Sequence, residues 1–346
     1  MQGRYYKFQI LDNCADTFAN IDTRTIGTEK GECAIVGPDW KADVPDVDIT
    51  IHSRTNTVWI IGRTLLHGER DISNVIALQS EYKLTSLESN QALVDASLPV
   101  ITDTHLKDPL LYFDIMTQAM KLNPPATEEL GLVEQFKHIG IDMEKGFQQD
   151  QLKAEIIAGL NRAVKDAQEI LLSSSVQATG TGVNGWNINY DLGAYGRNYL
   201  MRSIVALIGL ASNFSEESLF PIAFLDNESK PLHGSNDYVI HFERGQTPAV
   251  NGFWSLTMYG TDSYLVENEI NRYSISDRTE GLKYNEDGSL ELYIQHARPL
   301  DRESNWLPAP ADGFILILRL YSAKPEMLEK MLDGNYKLPL IQRTTK

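Results

Sequence analysis

The run Gly313-Phe-Ile-Leu-Ile-Leu-Arg-Leu-Tyr321 constrains this chain more than any other segment. Phe314, Leu316, Leu318 and Leu320 alternate with Ile315, Ile317, Arg319 and Tyr321. That is the period of a strand burying one face. Residues 253–259 repeat the pattern, with Trp254, Leu256 and Met258 opposing Phe253, Ser255, Thr257 and Tyr259. Residues 289–295 set Leu290, Leu292 and Ile294 against Glu291, Tyr293 and Gln295. In residues 238–242, Val239 and His241 oppose the apolar set. Such strands predict an antiparallel sheet with a greasy face and a chemically rich one.

The N-terminal third also reads as short strands, around residues 6–11, 33–36, 47–51 and 57–61, which suggests a sandwich or small barrel. Helices are expected over 71–83, 109–122, 128–136 and 149–173, the last with a one-sided apolar stripe. Residues 199–210 are apolar nearly all round and predict a buried helix. Asn285-Glu-Asp-Gly288 predicts a hairpin turn between strands at 281–284 and 289–295. This gives a mostly β chain with helical insertions (α+β): an N-terminal β domain over 1–90, a helical connection over 91–175, and a C-terminal β domain over 176–346. The length, 346 residues, also points to about two domains.

The net charge of −16 repels phosphate backbones and argues against nucleic acid as a partner. No run of roughly eighteen apolar residues is present, so no transmembrane segment is expected. The N-terminus has no signal-peptide core, which as written places the chain in the cytoplasm. Cys14 and Cys33, the two cysteines, are expected as free thiols.

Gly180-Thr-Gly-Val-Asn-Gly185 matches G-x-G-x-x-G, but the strand-then-helix context of a dinucleotide loop is missing. A flexible connector between helices is the preferred reading. His233 and His241 meet only if their segments pair as strands, and no metal or cofactor is assigned. Arg197 and Arg202 border or interrupt the apolar helix and need a salt-bridge partner or an anion.

If the chemically rich faces align, Thr257, Tyr259, Tyr293, Gln295, Arg319, Tyr321 and His241 share one surface. Trp306, in the proline-braced loop Asn305-Trp-Leu-Pro-Ala-Pro310, then walls a pocket or plugs the end of the sandwich. Phenols, an amide and a guanidinium suit a small polar or carbohydrate-like ligand. The bland explanation is a solvated sheet face. A hydrolase or lyase acting on such a ligand, and a structural or assembly module, are the competing classes.

Residues 253–259, 305–310 and 318–321 resemble the second member of a pair of families, domains of unknown function 1254 and 1214. Arg4-Tyr-Tyr, Asp22-Thr-Arg-Thr25, Ile35-Val-Gly-Pro38 and Trp59-Ile-Ile-Gly-Arg63 resemble the first member. The resemblance implies a small N-terminal β-sandwich and a jelly-roll-like C-terminal antiparallel domain, and carries no activity. It also implies an upstream segment, often with an export signal, that this sequence lacks. Without those strands the first domain has an open edge, and the expectation is either lower solubility or association through the first domain into a homo-oligomer.

Overall fold

Period-two alternation and closely spaced turns favour short strands at both ends of the chain, with helices between them. A computed structural model describes residues 1, 3–87, 102, 104 and 107–344. The expected boundary near residue 90, and His105, lie outside the described residues. The chain divides into two units, Met1–Ser174 with Gly196–Ala211, and Ser175–Tyr195 with Ser212–Lys346. It is mostly β, built chiefly from antiparallel sheets with helical insertions, and among the described residues no sheet closes into a barrel.

In the first unit, β1 (Tyr6–Asp12), β2 (Thr17–Asp22) and β5 (Val58–Thr64) form an antiparallel sheet with β1 central. β3 (Cys33–Val36) and β4 (Ile49–His52) pair in parallel. Ile10, Ile21 and Ile51 meet between the two sheets, with Phe8, Ile35, Ile49 and Val58 packed around them, making a small sandwich. The polar face of β1 is buried as well: Lys7 and Gln9 are 1% and 0% exposed. Gln9 Nε2 there donates to Thr17 Oγ1 at 2.8 Å and to the Ala211 carbonyl at 3.0 Å.

The first unit's helices are α1 (Ile72–Ser80), α2 (Pro109–Leu122), α3 (Leu130–Gln135), α4 (Ala154–Ser174) and α5 (Tyr199–Ile208). α2 starts where its sequence says it should, with Asp108 accepting from the Leu110 amide and Pro109 at the first position. Between α3 and α4 lies a small hairpin of β6 (Ile141–Asp142) and β7 (Gly146–Phe147). α5 departs from the expectation of a buried helix. Only Ile204 and Val205 are buried, while Leu207 and Ile208 are each 50% exposed. Arg202 on α5 lies 3.7 Å from Asp16 and 3.6 Å from Glu129, so its partners are carboxylates. Arg197 is exposed.

The second unit is a larger sandwich. Its first sheet runs β14 (Ser274–Ser276), β13 (Val250–Gly260), β17 (Phe314–Ala323), β11 (Ile222–Ala223), β9 (Trp186–Ile188), β8 (Thr181–Val183), with β10 (Ser218–Leu219) also on β17. Its second runs β16 (Trp306–Pro308), β15 (Leu290–Gln295), β12 (Asp237–Phe242), β18 (Ile341–Thr344). Every apolar face expected from alternation turns inward: Trp254, Leu256, Met258, Leu316, Leu318 and Leu320 meet Tyr238, Ile240, Phe242, Leu290, Leu292 and Ile294 in one core. α6 (Pro325–Leu332) adds Met327 and Met331 to it.

Two local expectations change. Residues 180–185 form the β8–β9 hairpin rather than a connector between helices, with Asn184 and Gly185 at φ 55° and 84° in the turn. Residues 281–284 are not a strand. The turn before Ser289 forms, but Asn305 holds the preceding segment, donating to the Lys283 carbonyl at 2.7 Å and accepting its amide at 2.9 Å.

Candidate functional site

The eight residues expected on one surface divide between the two sheets. Thr257, Tyr259, Arg319 and Tyr321 stand on β13 and β17. Tyr293, Gln295, His241 and Trp306 belong to β15, β12 and β16. Because the apolar faces of both sheets point into one core, their polar faces point away from each other. The single converging patch is therefore corrected to two patches. Alternation reveals which side chains share a face of their strand, but not in which sheet that strand lies.

The β13–β17 face is built by register. Arg319 pairs with Ser255, which pairs with Ser276 on β14. Ile317 pairs with Thr257, and Thr257 with Ser274. Tyr321 stands between Phe253 on one side and Ser218 on the other. Residues opposite one another in antiparallel strands project together, so Ser255 stands beside Arg319 and Ser218 beside Tyr321. The β13–β17 register shifts between Val250 and Phe253, and Ser322 takes φ 51° immediately after Tyr321. An irregularity of this kind re-aims the side chains beside it.

Aromatic rings and guanidinium groups alternate across this face. Arg278 lies 4.2 Å over the Phe253 ring, and Phe253 stacks on Tyr321 at 4.5 Å. Phe220 meets Tyr321 edge-on at 5.8 Å. Arg319 lies 5.9 Å from the Phe220 ring and 5.4 Å from that of Tyr259. Its Nη2 donates to the Tyr259 hydroxyl at 2.7 Å. Its Nη1 is buried and finds no acceptor among the described residues, and the same holds for Ser218 Oγ. Ser255 and Thr257 are each only 8% exposed, so this is not a solvated sheet face. Burial pushes the Asp277 carboxyl up, against the pull of neighbouring Arg278, and holds the Arg278 guanidinium below its ordinary value.

The β12–β15 face carries a closed polar network. The Tyr293 hydroxyl donates to Glu291 Oε2 at 2.5 Å and accepts from Arg302 Nη1 at 2.6 Å. His241 Nδ1 lies 3.5 Å from Glu291 Oε1. Burial, then the adjoining carboxylate, push the Tyr293 phenol up to about 12. The Tyr293 hydrogen bond, aided by His241 and Arg302 against desolvation, holds the Glu291 carboxyl below its ordinary value. Gln295 donates to the Ala297 carbonyl at 2.7 Å. Trp306 is 1% exposed, its Nε1 donates to the Gln295 carbonyl at 2.8 Å, and it stands opposite Tyr293 in the β15–β16 register, while its neighbour Leu307 enters the core.

Sequence reading missed Phe220, Ser218, Arg278 and Asp277 on the first face, and Arg302 on the second. All but Ser218 lie outside the named strands, where no periodicity marks a side chain's direction. His233 bridges to Gly313 while His241 lies on β12, so the two do not meet as a pair. Among the described residues no three His, Cys, Asp or Glu side chains converge as metal ligands. Cys14 and Cys33 are unpaired.

Fold and site together define a two-unit, β-rich protein whose second unit holds a partly buried guanidinium among rings and hydroxyls. The family described as "Protein of unknown function (DUF1254)" matches residues 1–86, and "Protein of unknown function (DUF1214)" matches residues 217–325. The chain thus carries a match to each of these two families, the first in its N-terminal part and the second in its C-terminal part. It is similar to the crystal structure of the VPA0106 protein from Vibrio parahaemolyticus, with TM-score 0.68 and 22% identity, over 99% of this chain and 83% of that one. That likeness concerns the fold. An uncharacterised protein from Burkholderia cenocepacia aligns with TM-score 0.27 and 15% identity over 63% of this chain and 49% of that one. No curated protein matches the chain.

Proposed function

We propose that the second unit binds a small, hydroxylated, anionic ligand, carbohydrate-like in its polarity, on the β13–β17 face. One observation carries the reading: Arg319 is fixed by Tyr259 through Nη2, while its buried Nη1 has no acceptor among the described residues. A buried, unmatched guanidinium N–H is costly, of order 1–3 kcal/mol, and a carboxylate oxygen removes that cost. The rings of Phe220 and Tyr259 offer stacking surface, and Ser218, Ser255 and Thr257 offer hydroxyls. The Tyr293 patch supports binding less well, because its donors and acceptors already satisfy one another.

The test is ligand-induced thermal stabilisation across a panel of sugar acids, hydroxy acids and neutral sugars. A ligand at about a hundred times its Kd adds roughly 2.7 kcal/mol, read as several degrees in Tm. Arg319→Gln is expected to abolish the shift and Tyr293→Phe to leave it intact. An unchanged shift in Arg319→Gln removes the site.

The hydrolase or lyase reading has one observation in its favour, the Asp277 carboxyl pushed up by burial beside the ring ladder. Carboxyls raised in this way serve as general acids. If that reading holds, Asp277→Asn keeps the thermal shift but abolishes product formation from the same panel. Product formed at the wild-type rate by Asp277→Asn rejects it.

A further inference from the structure

The net charge of −16 makes one concave site in the first unit stand out. A cavity of about 280 Å³ opens between β6, β7 and the start of α4, and Lys137, His138, Lys145 and Lys153 line it. One acidic side chain, Asp142, shares the lining. Its Oδ1 is already engaged by the amides of Glu144 and Lys145 at 2.9 and 3.0 Å. Lys137 lies 2.6 Å from Glu134. Among the described residues no carboxylate lies within ion-pair distance of Lys145 or Lys153.

The walls are set by local structure. Gly140 takes φ 82° and packs so closely on Leu152 that a Cβ there would lie 2.8 Å from it. The Gln148 amide donates to the Gly140 carbonyl at 2.8 Å, tying the far side of the hairpin to the same point. Gln151 Nε2 donates to Gln148 Oε1 at 3.0 Å, which fixes the rim. Lys153 leads directly into α4, a helix of 21 residues, and Ile156 from its first turn lines the cavity. The positive end of that helix adds to the field of the lysines.

We infer that this cavity binds a small molecule carrying a phosphate monoester. Several ammonium groups around one concavity match a dianion with three terminal oxygens better than a single carboxylate. The volume, near the lower end of the ~300–1,000 Å³ typical of small-molecule sites, leaves room for an attached group beyond a bare ion. The site is independent of the Arg319 face, and neither reading needs the other.

The probes are glycerol 3-phosphate and inorganic phosphate, titrated against full-length protein by calorimetry with sodium chloride matching the ionic strength. Saturable binding of glycerol 3-phosphate is expected. Lys145→Gln with Lys153→Gln should weaken it roughly tenfold or more, Lys145→Arg with Lys153→Arg should retain it, and Arg319→Gln should leave it unchanged. Saturation by inorganic phosphate as tightly as by the ester overturns the ester assignment. Heat indistinguishable from matched chloride, or equal affinity in the glutamine pair, overturns the site.

Discussion

Single residues decide where buried polarity is matched. Asn305 is 3% exposed and bridges three points, donating to the carbonyls of Lys283 and Glu291 and accepting from the Lys283 amide. Asn305→Ala leaves those groups without partners and should cost about 2–3 kcal/mol, measured by urea denaturation; a change below half that would show water replacing the amide. Asp71 presents the corresponding case for charge. Its carboxylate accepts from Arg4 Nη1 and Nη2, the His67 amide and Asn74 Nδ2, and the Arg4 hydrogen bond above all holds it well below the ordinary carboxylate range. A carboxylate depressed in the folded state adds stability above its unfolded pKa of about 3.9 and loses it as pH falls further. Asp71→Asn should therefore be less stable than wild type at pH 7, with a smaller loss of stability between about pH 5 and pH 2.5. Identical slopes for the two proteins would reject this assignment. Neither role was legible beforehand, because the sequence shows Asn305 and Asp71 but not the distant groups that meet them.

At the scale of elements, alternation gave every inward face of the second sandwich correctly, from Trp254 to Ile294. It could not separate β13 and β17 from β12 and β15, since strands of two facing sheets carry the same pattern. That ambiguity is why Arg319 and Tyr293 were expected together. The glycines at 180 and 185 show the converse, a pattern expected in a connector between helices that the structure places in the β8–β9 hairpin. A Cβ at Gly180 would overlap the Ile188 carbonyl, and one at Gly185 would lie 2.9 Å from the Leu225 carbonyl. Gly185→Ala, at φ 84°, should destabilise by about 1–3 kcal/mol. Gly159 in α4 is the control, with open space around its would-be Cβ. Gly159→Ala should raise stability by about 0.5–1 kcal/mol, and both changes are checked by thermal unfolding. A neutral Gly185→Ala would mean that the hairpin turn relaxes freely.

For the whole molecule, the family boundaries and the structural ones differ. The second family match covers 217–325, yet the sandwich also uses β8, β9, α6 and β18. Trp186 on β9 is 1% exposed, and its Nε1 donates to the Pro339 carbonyl at 2.8 Å. A fragment of residues 217–325 should consequently lack near-ultraviolet dichroism and dispersed amide resonances, whereas the full chain shows both. A folded fragment would show that the outer strands are dispensable. The division into two units also carries a temporal consequence. The chain passes from the first unit to the second after Ser174, returns for Gly196–Ala211, and crosses again. During synthesis, the leading hairpin of the second unit leaves the ribosome before the last helix of the first. The first unit cannot be completed until Gly196–Ala211 has followed the intervening segment of the second, so nascent chains stalled before residue 211 should engage chaperones rather than present a finished first domain.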